Sequence, residues 1–158
     1  MKKIKNIGLL LFLTLSTLSF SYQVNYDDVV DIVLRNYPQS RVTKIEIANY
    51  KGKTVYEGET FNKGQKIEFI INVNTGEVYK MDPNYDDEYN PSYNLPVTFE
   101  QANRIALDNS FNGRVKSIEL KNTDKKAYYV VEVRENKAEK EINIDANSGK
   151  VLNIKESM

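Results

Sequence analysis

The side chains that could carry out chemistry in this chain are mainly carboxylates, lysines and tyrosines, because its 158 residues include no histidine and no cysteine. The absence of histidine removes the commonest general base and the commonest metal ligand, and it leaves serine without the base that a catalytic triad needs. No Ser-x-x-Lys pair and no glycine-rich phosphate loop occurs in the sequence. We therefore predict that the protein is not an enzyme and that it needs no cofactor.

One short stretch holds carboxylates that could act together as metal ligands. It reads DPNYDDEYNPSYNLP and contains three of the four prolines. Carboxylate oxygens are the ligands that Ca²⁺ prefers, and the candidates here are Asp82, Asp86, Asp87 and Glu88. Their spacing does not match the EF-hand loop, whose glycine is also missing. We therefore predict that the stretch holds no metal ion. Because the stretch lacks helical and strand periodicity, residues 83–96 are predicted to be an extended linker.

The first 21 residues have the form of a secretory signal peptide. A lysine-rich start is followed by the apolar run Ile7–Leu15 and by small residues before a predicted cleavage between Ser21 and Tyr22. The rest of the chain carries 19 basic and 22 acidic residues, a net charge of −3 that does not predict binding to nucleic acid or to an anionic membrane surface. We expect a secreted or periplasmic protein without stable membrane insertion; a retained N-terminal anchor is the alternative.

Residues 22–82 predict one amphipathic helix followed by four strands. Asn25 is a suitable N-cap, and apolar residues recur at helical spacing until Pro38 ends the helix. Four alternating or β-branched runs follow at 42–48, 54–61, 67–73 and 78–81. The turns between them are short, so neighbouring strands should be antiparallel. Val42 is out of phase with the run that it opens, which predicts a bulge.

Residues 97–158 repeat this plan at a constant offset of 73 residues without a gap. Thr98 and Gln101 form a predicted capping box, and strands are predicted at about 114–121, 127–134, 139–146 and 150–154. The out-of-phase valine recurs as Val115. A gapless repeat of this length predicts the duplication of one structural unit. Because a unit of about sixty residues is marginal alone, we expect the two units to dock or to share sheet edges.

The second unit resembles the PepSY domain family. The likeness lies in the helix residues TFEQA (98–102) and in the strand segments YYVVEV (128–133), INIDA (142–146) and SGKVL (148–152). The first unit resembles the family less closely, since Gly58 and Thr60 stand where the second unit has valines and Val30 replaces a polar helix residue. The resemblance implies an extracytoplasmic module that binds or inhibits a protein, and it supplies no catalytic residues. The tandem plan is also similar in architecture to the β-lactamase inhibitor protein.

The predicted fold class is therefore α+β, with two tandem repeats that each pack one N-terminal helix on a four-stranded antiparallel sheet. One helix can cover only one face of such a sheet, so the other face is free to meet a partner. Strand alternation, together with the linker tyrosines, gives six candidate partner-binding residues: Val55, Phe61, Tyr85, Tyr89, Tyr128 and Val130. The alternative is that these residues pack between the repeats or are ordinary surface residues.

The favoured function is protein binding that modulates or inhibits a peptidase or another envelope enzyme. Two alternatives remain at this point. One is an extracytoplasmic sensor of Ca²⁺ or a small ligand that uses the acidic linker, and the other is a structural component of the envelope.

Overall fold

The computed structural model describes residues 23–88, 95–123, 126–136 and 138–157, and these form two helices and one eight-stranded antiparallel sheet. The elements are α1 (Tyr26–Asn36), β1 (Arg41–Tyr50), β2 (Lys53–Asn62), β3 (Gln65–Asn72), β4 (Val78–Glu88), α2 (Phe99–Asp108), β5 (Arg114–Thr123), β6 (Lys126–Glu135), β7 (Ala138–Asp145) and β8 (Val151–Ser157). The α+β class is confirmed. The predicted signal peptide and its cleavage site lie outside the described residues.

Both helices begin at the N-caps that the sequence predicts, and in each the cap is part of a capping box. The Asn25 side chain accepts a hydrogen bond from the Asp28 amide at 3.0 Å, and the Asp28 carboxylate accepts one from the Asn25 amide at 2.9 Å. Thr98 and Gln101 make the same reciprocal pair at α2. These bonds satisfy amide groups that a helix start otherwise leaves without partners. None of the described helices is long and apolar enough to cross a membrane.

The two repeats build equivalent halves of one hydrophobic core between the helices and the sheet. The buried Tyr56 hydroxyl donates to the Val24 carbonyl at 2.9 Å, and the equivalent Tyr129 hydroxyl donates to the Val97 carbonyl at 2.7 Å. Each tyrosine ring also packs against the first residue of its helix, with centroids 5.3 and 5.2 Å apart. Residues 73 positions apart therefore make equivalent hydrogen bonds and ring contacts in the two repeats.

The repeats join edge to edge, so that β1 and β5 are neighbours in the strand order β4-β3-β2-β1-β5-β6-β7-β8. Of the two arrangements expected, docking and shared edges, the structure has the shared edge. Only three residue pairs form this seam: Lys44 opposite Glu119, Ile45 opposite Ile118, and Glu46 opposite Ser117. Ile45 and Ile118 are equivalent positions, so a local two-fold axis passes through this pair. The predicted bulges are present beside the seam, at 42–44 in β1 and at 115–117 in β5.

Strand β4 is longer than the sequence predicts. It continues to Glu88, whose backbone pairs with Gln65, so that residues 83–88 of the predicted linker lie in a strand. The strand is at the edge of the sheet. Pro83 is tolerated there because an edge strand has one side on which no ladder hydrogen bond is required.

Candidate functional site: the open face of the sheet

The helices cover one face of the sheet, and we call the opposite face, which neither helix covers, the open face. Along each strand its residues alternate with those of the core, because successive side chains point to opposite sides. In the first repeat the face includes Lys44, Glu46, Ala48, Val55, Glu57, Glu59, Phe61, Lys66, Glu68, Ile70 and Lys80. In the second repeat it includes Glu119, Tyr128, Val130, Glu132, Arg134, Glu139, Glu141, Asn143 and Lys155.

In the first repeat the open face carries a shallow cavity of about 230 Å³ whose walls are mainly charged. Glu57, Glu68 and Lys80 line it, together with the buried Ile70. Lys80 pairs with Glu68 at 3.2 Å. These groups are partly exposed, so the pair contributes little to stability.

Lys44 links the charges of the two repeats across the seam. It pairs with Glu46 at 2.8 Å and lies opposite Glu119 of the second repeat. Partial burial lowers the pKa of Lys44, but the hydrogen bond to Glu46 and the charges of Glu46, Glu59 and Glu119 outweigh that effect, so its pKa is raised. The ammonium group therefore stays charged at the middle of the face.

In the second repeat the open face has an apolar centre with charged neighbours. Tyr128 and Val130 are half-buried on β6, and their strand partners on β7 are Asp145 and Asn143. Toward the other end of the strands, Arg134 pairs with Glu139 at 2.9 Å and Lys155 with Glu141 at 3.2 Å. An aromatic and aliphatic centre within a polar rim is the usual composition of a protein-binding surface.

The structure corrects part of the predicted binding surface. Tyr128 and Val130 lie on the open face and are accessible, but Val55 is 0% exposed and Phe61 only 9% exposed. Both Val55 and Phe61 lie on the predicted face of the sheet, but the prediction that their side chains are exposed is wrong. Phe61 lies between Arg41 on β1 and Lys66 on β3, whose long aliphatic stems can cover its ring.

Val55 is buried by residues that sequence reasoning missed. The rings of Tyr50 on β1 and Tyr79 on β4 stack with centroids 6.1 Å apart. Strands β2 and β3 lie between β1 and β4, so the two rings must meet above them, where Val55 is located. Tyr79 reaches this position at a break in the β3–β4 register, next to Ile71. Strand alternation does not reveal such a bulge. The one sequence feature that points to this cluster is the density of tyrosine and lysine at 50–53.

The residues of the acidic stretch are only partly described. Asp82 is exposed on β4 opposite Glu68. The side chains of Tyr85, Asp86, Asp87 and Glu88, and the whole of Tyr89, lie outside the described residues. Within the part of the chain that is described, no three potential metal ligands come together.

Comparison with known proteins identifies the repeats. A family model described as the peptidase propeptide and YPEB domain, PepSY, matches residues 23–82 and again 96–155, which confirms the resemblance noted for both units. No curated protein matches the chain.

Two solved structures are similar to the chain. A candidate lipoprotein of Clostridium difficile 630 is 24% identical with a TM-score of 0.62, over 86% of this chain and 95% of that one. The C-terminal domain of YpeB from Bacillus megaterium is 13% identical with a TM-score of 0.35, over 85% of this chain and 66% of that one. The first of these likenesses shows a shared fold.

Proposed function

This chain belongs to the PepSY family, and from that premise we propose that it is a non-catalytic module outside the cytoplasm that binds a protein through the open face of its sheet. Its target is a peptidase or another enzyme of the cell envelope, whose activity it modulates. The family description, which joins peptidase propeptides with YPEB, supports the class of target. The observation that carries the proposal is an eight-stranded sheet with one face that neither helix covers.

The open face suits recognition because its apolar centre is held rigidly. Tyr128 and Val130 lie on β6, which pairs along its length with β5 and with β7. The backbone of a strand with two partners is already ordered, so binding a further protein costs little backbone entropy. Aromatic side chains at the centre of such a patch are the residues that most often dominate binding energy.

The absence of histidine and cysteine from the whole sequence supports a role in binding rather than in catalysis. The charged residues of the open face are largely arranged as ion pairs between neighbouring strands, as in Arg134–Glu139 and Lys155–Glu141. Such pairs lie at the rim of a recognition surface and favour one orientation of the partner over others.

The test is to mix purified residues 22–158 with peptidases isolated from the envelope of the source cell and to measure peptide hydrolysis. We expect the rate of at least one enzyme to change at a stoichiometric concentration of the chain. Tyr128→Asp with Val130→Asp should weaken the effect at least tenfold, since a buried carboxylate at an interface is left unpaired.

The matched control is Leu107→Glu, which places a charge on the outer side of α2, where Leu107 is 37% exposed. It should leave the effect unchanged. The proposal is wrong if no envelope enzyme responds to the chain, or if the open-face variant acts as well as the unmodified protein while circular dichroism shows both to be folded.

A further inference from the structure

One end of the open face in the first repeat forms a small cleft of about 240 Å³ lined by Tyr50, Lys51, Lys53 and Tyr79, which we call the Tyr/Lys cleft. Tyr50 ends β1, Lys51 lies in the following turn, Lys53 begins β2, and Tyr79 is near the start of β4. The cleft is far along the strands from the seam and does not include the apolar centre at Tyr128. The function proposed above is argued from the apolar centre at Tyr128 and Val130 and does not rest on these four residues.

The four side chains hold one another in a fixed arrangement. The two tyrosine rings stack at 6.1 Å with an angle of 29° between their planes. The Lys51 ammonium lies 4.9 Å from the centre of the Tyr50 ring, and the Lys53 ammonium lies 5.0 Å from that of Tyr79. Lys51 is therefore held by the negative face of the Tyr50 ring and Lys53 by the hydroxyl of Tyr79, so the cleft is formed before any ligand arrives.

The Tyr79 hydroxyl is directed by its neighbours. Its oxygen accepts hydrogen bonds from the Lys53 ammonium at 3.0 Å and from the Asn72 side-chain amide at 2.7 Å. A phenol oxygen has two acceptor sites and one proton to donate. With both acceptor sites used by the protein, the hydroxyl proton of Tyr79 is left to donate to a ligand.

The positive charge of the cleft is not neutralised by an ion pair. Lys44, Lys66, Lys80 and Lys155 on the same face each have a carboxylate within 4.0 Å. Among the described residues, neither Lys51 nor Lys53 has one, although Glu77 is near enough to influence Lys53. Residues 22–158 carry a net charge of −3, so two ammonium groups without a carboxylate partner make the cleft a locally favourable place for an anion.

The second repeat shows that the fold does not require this cluster. At the offset of 73 residues, the positions of Tyr50, Lys51, Lys53 and Tyr79 hold Thr123, Asp124, Lys126 and Leu152. Both rings are lost there, and one positive charge becomes negative. The strands are nevertheless conserved between the repeats, with β8 pairing to β7 as β4 pairs to β3. The cluster is therefore an addition to the first repeat rather than a structural necessity.

We propose that the Tyr/Lys cleft binds an acidic saccharide, that is, a sugar ring carrying a carboxylate or a phosphate. The anionic group would lie against the two ammonium groups and accept the Tyr79 hydroxyl proton, while the apolar face of the ring lies on the exposed part of the tyrosines. A volume of about 240 Å³ is below the range of about 300–1,000 Å³ typical of drug-sized ligands, which suits a single sugar unit.

Two other anionic ligands fit the geometry less well. An extended acidic peptide would gain its main-chain hydrogen bonds at a sheet edge, whereas the cleft lies on a face. Nucleic acid binding normally requires many phosphate contacts, and two lysines supply few of them when residues 22–158 carry a net charge of −3. The ring stacking and the small number of charges together favour one acidic sugar.

The test is a titration of ¹⁵N-labelled residues 22–158 with a galacturonate hexamer at low and high salt, followed by amide chemical shifts. We expect shifts confined to residues 50–53 and 72–79, and an affinity that falls as salt rises. Lys51→Gln with Lys53→Gln should weaken binding at least tenfold. Tyr79→Leu, which copies Leu152 of the second repeat and should therefore fold, should do the same by removing the ring and the hydroxyl.

The controls separate the contribution of the anionic group from that of the sugar ring. Lys126→Gln removes the equivalent lysine of the second repeat and should change nothing. A maltose-type hexamer carries rings without charge, while polyphosphate and hexaglutamate carry charge without sugar rings; each should bind at least tenfold more weakly. The proposal is wrong if galacturonate produces no shifts at the cleft, if either charged control binds as tightly, or if the cleft variants bind normally.

Discussion

Gly58 and Phe69 face each other on β2 and β3, and together they replace a pair of ordinary core residues. Their equivalents in the second repeat are Val131 and Ile142, which also face each other. A Cβ atom at Gly58 would overlap the Phe69 ring and the Lys44 carbonyl oxygen. The glycine that weakens the family likeness of the first repeat is thus explained by packing, because the larger Phe69 fills the space that a valine would occupy.

We expect Gly58→Val to destabilise the protein by about 2–3 kcal/mol, since overpacking of a filled core costs this much. Phe69→Ile alone should also destabilise it, because it leaves a cavity. The double variant should recover part of the loss, with a coupling energy of about 1 kcal/mol or more between the sites. Urea unfolding of the four proteins measures this. Simple additivity of the two changes would contradict the proposed complementarity.

The buried tyrosines make stability depend on pH in the alkaline range. Burial raises the pKa of Tyr56 and of Tyr129 to about 12 from the ordinary value of 10. Near pH 11 these tyrosines are ionised in the unfolded chain but still protonated in the folded one. The stability that they contribute is therefore complete below pH 10 and is lost as the pH rises from 10 through about 12.

Urea unfolding at pH 8, 10.5 and 11.5 should show this decline. Tyr129→Phe should make it shallower while costing about 1 kcal/mol at pH 8, where only the hydrogen bond to the Val97 carbonyl is lost. Tyr128→Phe, at a partly exposed tyrosine on the opposite face of β6, is the control. An unaltered decline in Tyr129→Phe would show that other groups cause it.

At the scale of elements, Asp27 of α1 joins the two repeats on the helix side. One of its carboxylate oxygens accepts a hydrogen bond from the Thr98 hydroxyl at 3.0 Å, and the other accepts one from the Glu100 amide at 3.1 Å. The carboxylate thus lies at the N-terminus of α2, where the helix dipole favours negative charge. A residue of one repeat therefore helps to cap the helix of the other.

Asp27→Ala should lower the free energy of unfolding by about 1 kcal/mol, as the loss of a helix cap does. It should also speed hydrogen exchange of the Glu100 amide. Asp31→Ala, one turn further along α1 and exposed, is the matched control and should have a smaller effect. Equal effects of the two changes would mean that Asp27 does not act through α2.

Local sequence patterns were enough to predict the helices and most strands, because caps, turns and alternation are local properties. Asn25 and Thr98 were predicted as caps and are caps. The extension of β4 was not predicted, since Pro83 and four carboxylates are untypical of a strand and only the place at an edge permits them. The burial of Val55 was missed because it depends on tyrosines from two other strands, which no pattern within β2 can reveal.

At the scale of the whole molecule, a shared sheet edge was one of two arrangements expected from the sequence, but the strands and residues that form the seam could not be predicted. The seam consists of three residue pairs, and its central pair joins the equivalent residues Ile45 and Ile118, both buried. In the first repeat the residues on either side of this isoleucine are Lys44 and Glu46. An antiparallel pair of two first repeats would therefore place lysine opposite glutamate twice, whereas a pair of second repeats would place Ser117 opposite Glu119.

We expect residues 23–88 produced alone to form a symmetric dimer through β1, and residues 95–157 to dimerise more weakly, since the second lacks the charge complementarity. Sedimentation velocity over a range of concentrations measures both. Ile45→Lys should abolish the dimer, and Ile47→Lys, at a side chain that is 45% exposed and outside the seam, should not. Stable folded monomers of either piece would show that the seam is dispensable.

The seam between β1 and β5 can form within one chain or between two chains, because the same strand edges are available in every molecule. Two full-length chains could therefore exchange halves, each β1 pairing with the β5 of its neighbour, without gaining or losing a contact. The tether between the halves opposes such an exchange, because it holds them at an effective concentration of the order of millimolar. Crowding in a narrow compartment would act against that tether, so swapped dimers are the form of association to which this architecture is exposed.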